Sequence, residues 1–278
     1  MKINLQFNNY NYNKSKQSFS GRQEIREKSS LFADDIIEVA TDRKLNKKEL
    51  EKVMRAHIPA IVVRPSKGDE PYAISCSPYI SFLHRDNSYR LKSQTIRVPK
   101  LHQRSGKGEK AEFIDSIVHE MTHAFQHLDD DISFIPRYNA YLKNNSLLKL
   151  QQLSSISEDL FVYVENKAIY PIIADMYEKA GEIDISDVST SKELLKKLSP
   201  NAKKRINSIF KAGLKTANKK LEGENMEFVL NDFKNNALAE EDAYRAGAEA
   251  GKKFTHQDGL DVADAIPELY RTLAEIVK

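Results

Sequence analysis

The segment from residue 110 to residue 128 constrains this chain most, because it combines a helical core stripe with a His-Glu-x-x-His motif. Its apolar residues recur at steps of three and four and form one helical face: Ile114, Ile117, Val118, Met121, Phe125 and Leu128. His119 and His123 fall on a different arc, and Glu120 lies between the two arcs. We therefore predict a helix that packs against a hydrophobic core with one face and forms the floor of a cleft with the other.

The two histidines of this motif are four residues apart, so both imidazoles can reach one metal ion. The sequence therefore predicts that His119 and His123 are zinc (Zn²⁺) ligands. Glu120, at the edge of the same face, is expected to take a proton from a zinc-bound water as the general base. His127 lies one turn further on and is too far along a straight helix to join both imidazoles on one ion.

A third ligand is expected elsewhere, because catalytic zinc usually has three protein ligands and one water. Glu240 is favoured, because its helical face is otherwise built from apolar and small residues: Phe233, Ala237, Tyr244, Gly247 and Gly251. A carboxylate on such a face points inward and needs a partner. The two glycines would also let this helix approach another one closely.

Glu165, and Asp129 or its neighbour Asp130, remain open as the third ligand. Glu165 lies on a segment that is apolar nearly all round, and it is nearer to His123 in the sequence. Asp129 follows His119 by ten residues, but Gln126 stands where a short ligand turn would need glycine. Tyr244, Arg245 and His256 remain alternatives for the donor that would stabilise an oxyanion.

The segment from His119 to Gln126, followed by a Glu-x-x-Ala helix, resembles the gluzincin branch of the zincin metallopeptidases. In that branch the third zinc ligand is a Glu on a later helix, often with a small residue three positions on. Glu240 with Ala243 matches this spacing, and so does Glu165 with Ala168. The resemblance covers residues 90–130 and one later helix.

The resemblance implies a zinc metalloendopeptidase that hydrolyses peptide bonds in a protein or peptide substrate. Two alternatives stay open at this point. One is a catalytically degenerate zincin that binds a partner protein. The other is an effector whose helical half acts as a protein-binding module.

The expected fold class is α+β, with a small antiparallel sheet packed on the motif helix and a mainly helical C-terminal half. Short β-branched segments between residues 58 and 98 predict the sheet, and an exposed strand edge near residues 95–98 is expected to pair with substrate. Residues 1–30 are polar and predicted to be a disordered tail. Residues 31–278 are predicted to form one zincin-like domain, with a helical insertion or subdomain at about 183–225.

Composition excludes several classes of function. The net charge is only +3 with acids and bases mixed, so no nucleic-acid partner is indicated. Cys76 is the only cysteine, which excludes an internal disulfide and a thiolate pair at the metal. No signal-peptide core and no apolar run of membrane-spanning length are present, so the expected location is cytoplasmic or reached by a non-standard secretion route. The oligomeric state is left open.

Overall fold

The computed structural model describes residues 11–42, 46–65, 74–99, 107–130, 132–221 and 225–277. The fold is α+β and mostly helical, as the sequence predicts. Its strands and first helices are α1 (Asn11–Asp42), α2 (Lys47–His57), β1 (Ile61–Pro65), β2 (Ser75–Leu83), β3 (Ser88–Val98) and the motif helix α3 (Lys107–Leu128). The helical half comprises α4 (Phe134–Leu142), α5 (Leu147–Val164), α6 (Tyr170–Ala180), α7 (Ser191–Leu198), α8 (Ala202–Lys220), α9 (Met226–Thr255) and α10 (Val262–Ile276). None of these helices is long and apolar enough to cross a membrane.

The sheet has the strand order β1-β3-β2 and is mixed, which corrects the prediction of an antiparallel sheet. β2 and β3 form the antiparallel hairpin, whereas β1 runs parallel to β3 on its other side. Alternation of apolar and polar residues predicts strands but carries no signal for their relative direction. β3 is therefore the central strand, so the expected free edge near residues 95–98 is also wrong. The edge beside α3 belongs to β2.

Two hydrophobic cores lie on either side of the candidate site and share the long helix α9. The N-terminal core joins α1, α2, the sheet and the apolar stripe of α3, including Ile114, Ile117, Val118, Met121 and Phe125. The C-terminal core joins α5 to α10 around Phe233 and Tyr270, both fully buried. The long helix α9 takes part in both, since Ala250 packs in the first core and Phe233 in the second. The polar face of α3 therefore lies along α9 at the boundary between the cores.

The first helix corrects the expectation of a disordered tail over residues 1–30. Residues 11–42 are helical, and Ile25 is fully buried in the N-terminal core with Phe32 and Ile36. The buried stripe therefore begins earlier than the predicted domain boundary at residue 31. Arg22 also pairs with Asp242, a contact over 220 positions that local composition cannot reveal. Residues 1–10 of that predicted tail lie outside the described residues.

The segment expected to be an insertion at about 183–225 forms α7 and α8. Their apolar faces are buried in the C-terminal core, with Leu194, Leu198 and Ile206 fully excluded from solvent. A helix that buries this much of one face gains most of its stability from that packing. The segment is therefore an integral part of the helical half.

Candidate metal centre

The motif helix presents its two histidines as the sequence predicts. His119 and His123 lie one turn apart on α3, with ring centroids 4.8 Å apart and their Nε2 atoms 3.1 Å apart. Neither side chain is in the core stripe, and their exposed fractions are 13% and 16%. The Nε2 atoms of the two rings therefore point to one spot that solvent can still reach.

Helix α9 brings Glu240 to the same spot. Its Oε1 lies 3.3 Å from Nε2 of His123, and its Oε2 lies 3.5 Å from Nε2 of His119. Ligand atoms at about 2.0–2.1 Å from a tetrahedral zinc ion are roughly 3.3 Å from one another. The spacing of the three side chains thus fits a zinc ion. Among the described residues, they form the one group of three or more potential ligands, with all ligand atoms within 4.8 Å.

The electrostatics of the cluster favour a positive charge between its members. Burial lowers the pKa of His123, but the charge and hydrogen bond of Glu240 raise it more, to about 9. Burial also lowers the pKa of His119, and His123 lowers it further, to about 4. Burial raises the pKa of Glu240, yet its net shift is downward, because His123 and His119 stabilise the carboxylate. One imidazole is therefore free to donate a lone pair, and the carboxylate is ionised.

Glu120 is held beside this cluster by the edge strand of the sheet. Its Oε2 accepts a hydrogen bond from the Cys76 backbone N–H at 2.6 Å. That N–H belongs to β2 and points away from β3, toward α3. Burial raises the pKa of Glu120 to about 7, although His123 and the Cys76 N–H act in the opposite direction. The carboxyl group is thus fixed in place and can exchange a proton near neutral pH.

The close approach of α9 to α3 depends on Gly247, which confirms the expected role of this position. A Cβ atom on Gly247 would lie 2.8 Å from the backbone oxygen of Asp115, one turn before His119. Only glycine permits that separation without a shift of one helix. The absence of a side chain at residue 247 therefore lets Glu240 reach the histidines.

Glu165 lies near the cluster but is not part of it. It begins a π-helical turn, Glu165–Ile169, between α5 and α6, and its Oε1 accepts a hydrogen bond from the Tyr270 hydroxyl at 2.8 Å. Pro171 has no N–H with which to continue the α-helical pattern, which accounts for the irregular turn before it. Asp129 lies just beyond the C-terminus of α3, where it accepts a hydrogen bond from the Ile132 N–H. Neither carboxylate joins the two histidines.

Of the three possible oxyanion donors, only Tyr244 lies at the cluster. Its ring meets His119 edge to face at 4.4 Å and stacks on Tyr270 at 5.1 Å. Arg245 contacts Glu241 and Glu268 instead. His256 ends α9 in a left-handed conformation and takes no part in the group.

Two contributions to the site were not predicted, and both use main-chain atoms. The Cys76 N–H holds Glu120, and Gln126 links His123 to the backbone of Ala239. A main-chain partner leaves no residue-type signature in a sequence. The one available signal was the position of Gln126, three residues after His123 on the histidine side of the helix.

No protein-family model matches this chain, and no curated protein or solved structure matches it either.

Proposed function

We propose that the protein is a zinc-dependent metallopeptidase with a gluzincin-like site. The main support for this proposal is that Glu240 lies beside His119 and His123, although it follows them by more than 110 positions in the sequence. A metal ion stabilises such a group, because two imidazoles and a carboxylate that face one point supply the donor set of a catalytic zinc site. Glu120 beside the group supports a hydrolytic role over a purely structural one.

His119, His123 and Glu240 would hold the zinc ion. Bound zinc supplies a Lewis acid that polarises a carbonyl and makes water acidic enough to lose a proton near pH 7. Glu120 accepts that proton on its carboxylate while the Cys76 N–H keeps it oriented. It then delivers the proton to the nitrogen of the departing amine. Tyr244, whose ring contacts His119, is the candidate donor to an oxyanion, and its hydroxyl would have to leave its hydrogen bond with Tyr270 to act as one.

A polypeptide is the substrate class that suits the surroundings of this site. β2 is the sheet edge next to Glu120, and an extended chain can bind along such an edge through backbone hydrogen bonds. The register places Cys76 opposite Ile96 and Pro78 opposite Gln94. This edge offers few free donors, because Pro78 has no N–H and the Cys76 N–H is already donated to Glu120. A substrate strand would therefore bind there mainly by donating its own N–H groups to carbonyl oxygens of β2.

The test makes two measurements on the native chain and on Glu120→Gln: the zinc content of each protein, and the rate at which each cleaves a denatured protein substrate. We expect both proteins to contain zinc, and we expect Glu120→Gln to cleave about 10²–10⁴-fold more slowly. Chelation should abolish cleavage by the native chain, and added zinc should restore it. A native chain without zinc would contradict the whole proposal. Zinc binding without cleavage would instead favour an inactive zincin that binds a partner, and full activity of Glu120→Gln would remove Glu120 as the base.

A further inference from the structure

Gln126 makes two hydrogen bonds that connect both halves of the candidate metal centre. It lies on α3 three residues after His123, and only 4% of its surface is exposed. Its Oε1 is 2.9 Å from Nδ1 of His123, and its Nε2 is 3.0 Å from the carbonyl oxygen of Ala239. Ala239 directly precedes Glu240. One amide side chain therefore touches a histidine on α3 and the backbone beside the carboxylate on α9.

The chemistry of these contacts determines the direction of both bonds. The Ala239 carbonyl can only accept, so the Gln126 amide nitrogen faces it and donates. The Gln126 oxygen must then face His123, where it can only accept. Nδ1 of His123 consequently carries a proton and donates it to Gln126. With Nδ1 protonated, Nε2 is the ring nitrogen left to offer a lone pair to a metal ion, and it points toward His119 and Glu240.

We infer that Gln126 is a positioning residue of the metal centre, and this inference rests on the zinc site of the proposed function. It selects the His123 tautomer that can bind a metal through Nε2, and it fixes the plane of that ring. Through Ala239 it also sets the distance between the two ligand-bearing helices. Partners of this kind typically change metal affinity 10–100-fold when they are removed.

Two substitutions separate these roles. Gln126→Met keeps the size of the side chain but removes both hydrogen bonds. Gln126→Glu keeps an acceptor for the His123 Nδ1–H and loses the donor to Ala239. Zinc affinity is measured by competition with a chromophoric chelator, with Gln152→Met, an exposed position on α5, as the control. We expect Gln126→Met to bind zinc roughly 10–100-fold more weakly, Gln126→Glu to recover most of that loss, and the control to match the native chain.

A second measurement excludes a merely structural effect. In protein labelled with ¹⁵N-histidine, the Nδ1–H signal of His123 should be protected from exchange in the zinc-bound native chain and in Gln126→Glu. In Gln126→Met it should exchange faster, while the ring signals of His127, which is hydrogen-bonded to Gln94, stay unchanged. Equal zinc affinities in all variants, or an unchanged His123 signal in Gln126→Met, would overturn the role of Gln126 while leaving the zinc site intact. A native chain that binds no zinc would overturn both.

Discussion

Gly247 on α9 lies directly against Asp115 on α3. A Cβ atom at residue 247 would be 2.3 Å from Oδ1 of Asp115 and 2.8 Å from its backbone oxygen. The carboxylate could turn away, but the backbone oxygen could move only together with α3. This contact lies one turn from His119 and two turns from Glu240 along their respective helices. It therefore sets how closely the two ligand-bearing helices can approach.

Gly247→Ala is expected to lower both the free energy of unfolding and the zinc affinity. The added methyl group forces α3 and α9 apart, which costs about 1–3 kcal/mol in a closely packed contact. Glu240 then moves away from the histidines, so zinc binding weakens as well. Chemical denaturation and zinc competition measure the two effects separately.

Gly251→Ala is the matched control for this prediction, because it makes the same change one turn further along α9. Its Cβ atom would lie 3.5 Å from the Asp115 Cβ and 3.6 Å from the Ala111 oxygen, which are ordinary contacts. The better helix propensity of alanine should make this variant as stable as the native chain or up to about 1 kcal/mol more stable. Equal destabilisation by both substitutions would show that the Asp115 contact is not limiting.

Substitution of the two candidate carboxylates should separate the zinc ligand from its neighbour. Glu240→Ala removes an atom that lies 3.3 Å from Nε2 of His123, so we expect it to lose zinc. Glu165→Ala removes a group bonded to Tyr270, so the zinc content should stay close to native. Mass spectrometry under native conditions reads out both. Loss of zinc from Glu165→Ala alone would reverse the assignment.

Glu165 also predicts a pH-dependent stability. Burial raises its pKa to about 7 from an ordinary value of 4.5, although the Tyr270 hydroxyl acts in the opposite direction. Between these values the folded chain binds more protons at this residue than the unfolded chain, so its contribution to stability falls as the pH rises. Glu165→Gln removes this titration and keeps an acceptor for Tyr270. When a chelator is present to keep metal out of the site, the free energy of unfolding of Glu165→Gln should exceed that of the native chain by an amount that grows with pH. We expect this difference to be near zero at pH 4.5 and roughly 3 kcal/mol at pH 7 and above.

Urea denaturation at several pH values measures this difference. Glu268→Gln serves as a control, because that buried carboxylate is paired with Arg245 and Arg271. Its removal should destabilise the protein and should not yield an advantage that grows with pH. A constant difference between Glu165→Gln and the native chain across the range would rule out the proposed titration.

The parts of the site that could be predicted are those encoded in helical periodicity. His119 and His123 share an arc because of their spacing, and Glu240 stands out as a carboxylate on a face of small and apolar residues. These are local patterns, and a helix preserves them in the folded chain. Glu165 satisfied the same Glu-x-x-Ala spacing, and only the three-dimensional arrangement separates the two residues.

The remaining features depend on pairings over long distances in the sequence. The parallel pairing of β1 with β3 leaves no trace in the alternation of either strand. The polar composition of residues 11–30 predicted disorder, because the acidic partners of Arg22 and Arg26 lie more than 200 positions away. The Cys76 N–H and the Ala239 carbonyl are backbone groups. Any residue except proline could supply the first, and any residue at all could supply the second, so neither leaves a signature in the sequence. Local composition therefore underestimated the ordered part of the chain.

The ion pairs between α1 and α9 lead to a last prediction. Arg22 makes two hydrogen bonds to Asp242, at 2.6 and 2.7 Å, and Asp242 is only 2% exposed. Arg22→Met should leave this buried carboxylate with Arg26 as its remaining described partner and cost about 3 kcal/mol. Lys28→Met breaks a pair with Glu24 on the exposed side of the same helix and should cost under about 0.5 kcal/mol. Urea denaturation of both variants tests the difference, and a native-like midpoint for Arg22→Met would mean that α1 does not stabilise α9 through these contacts.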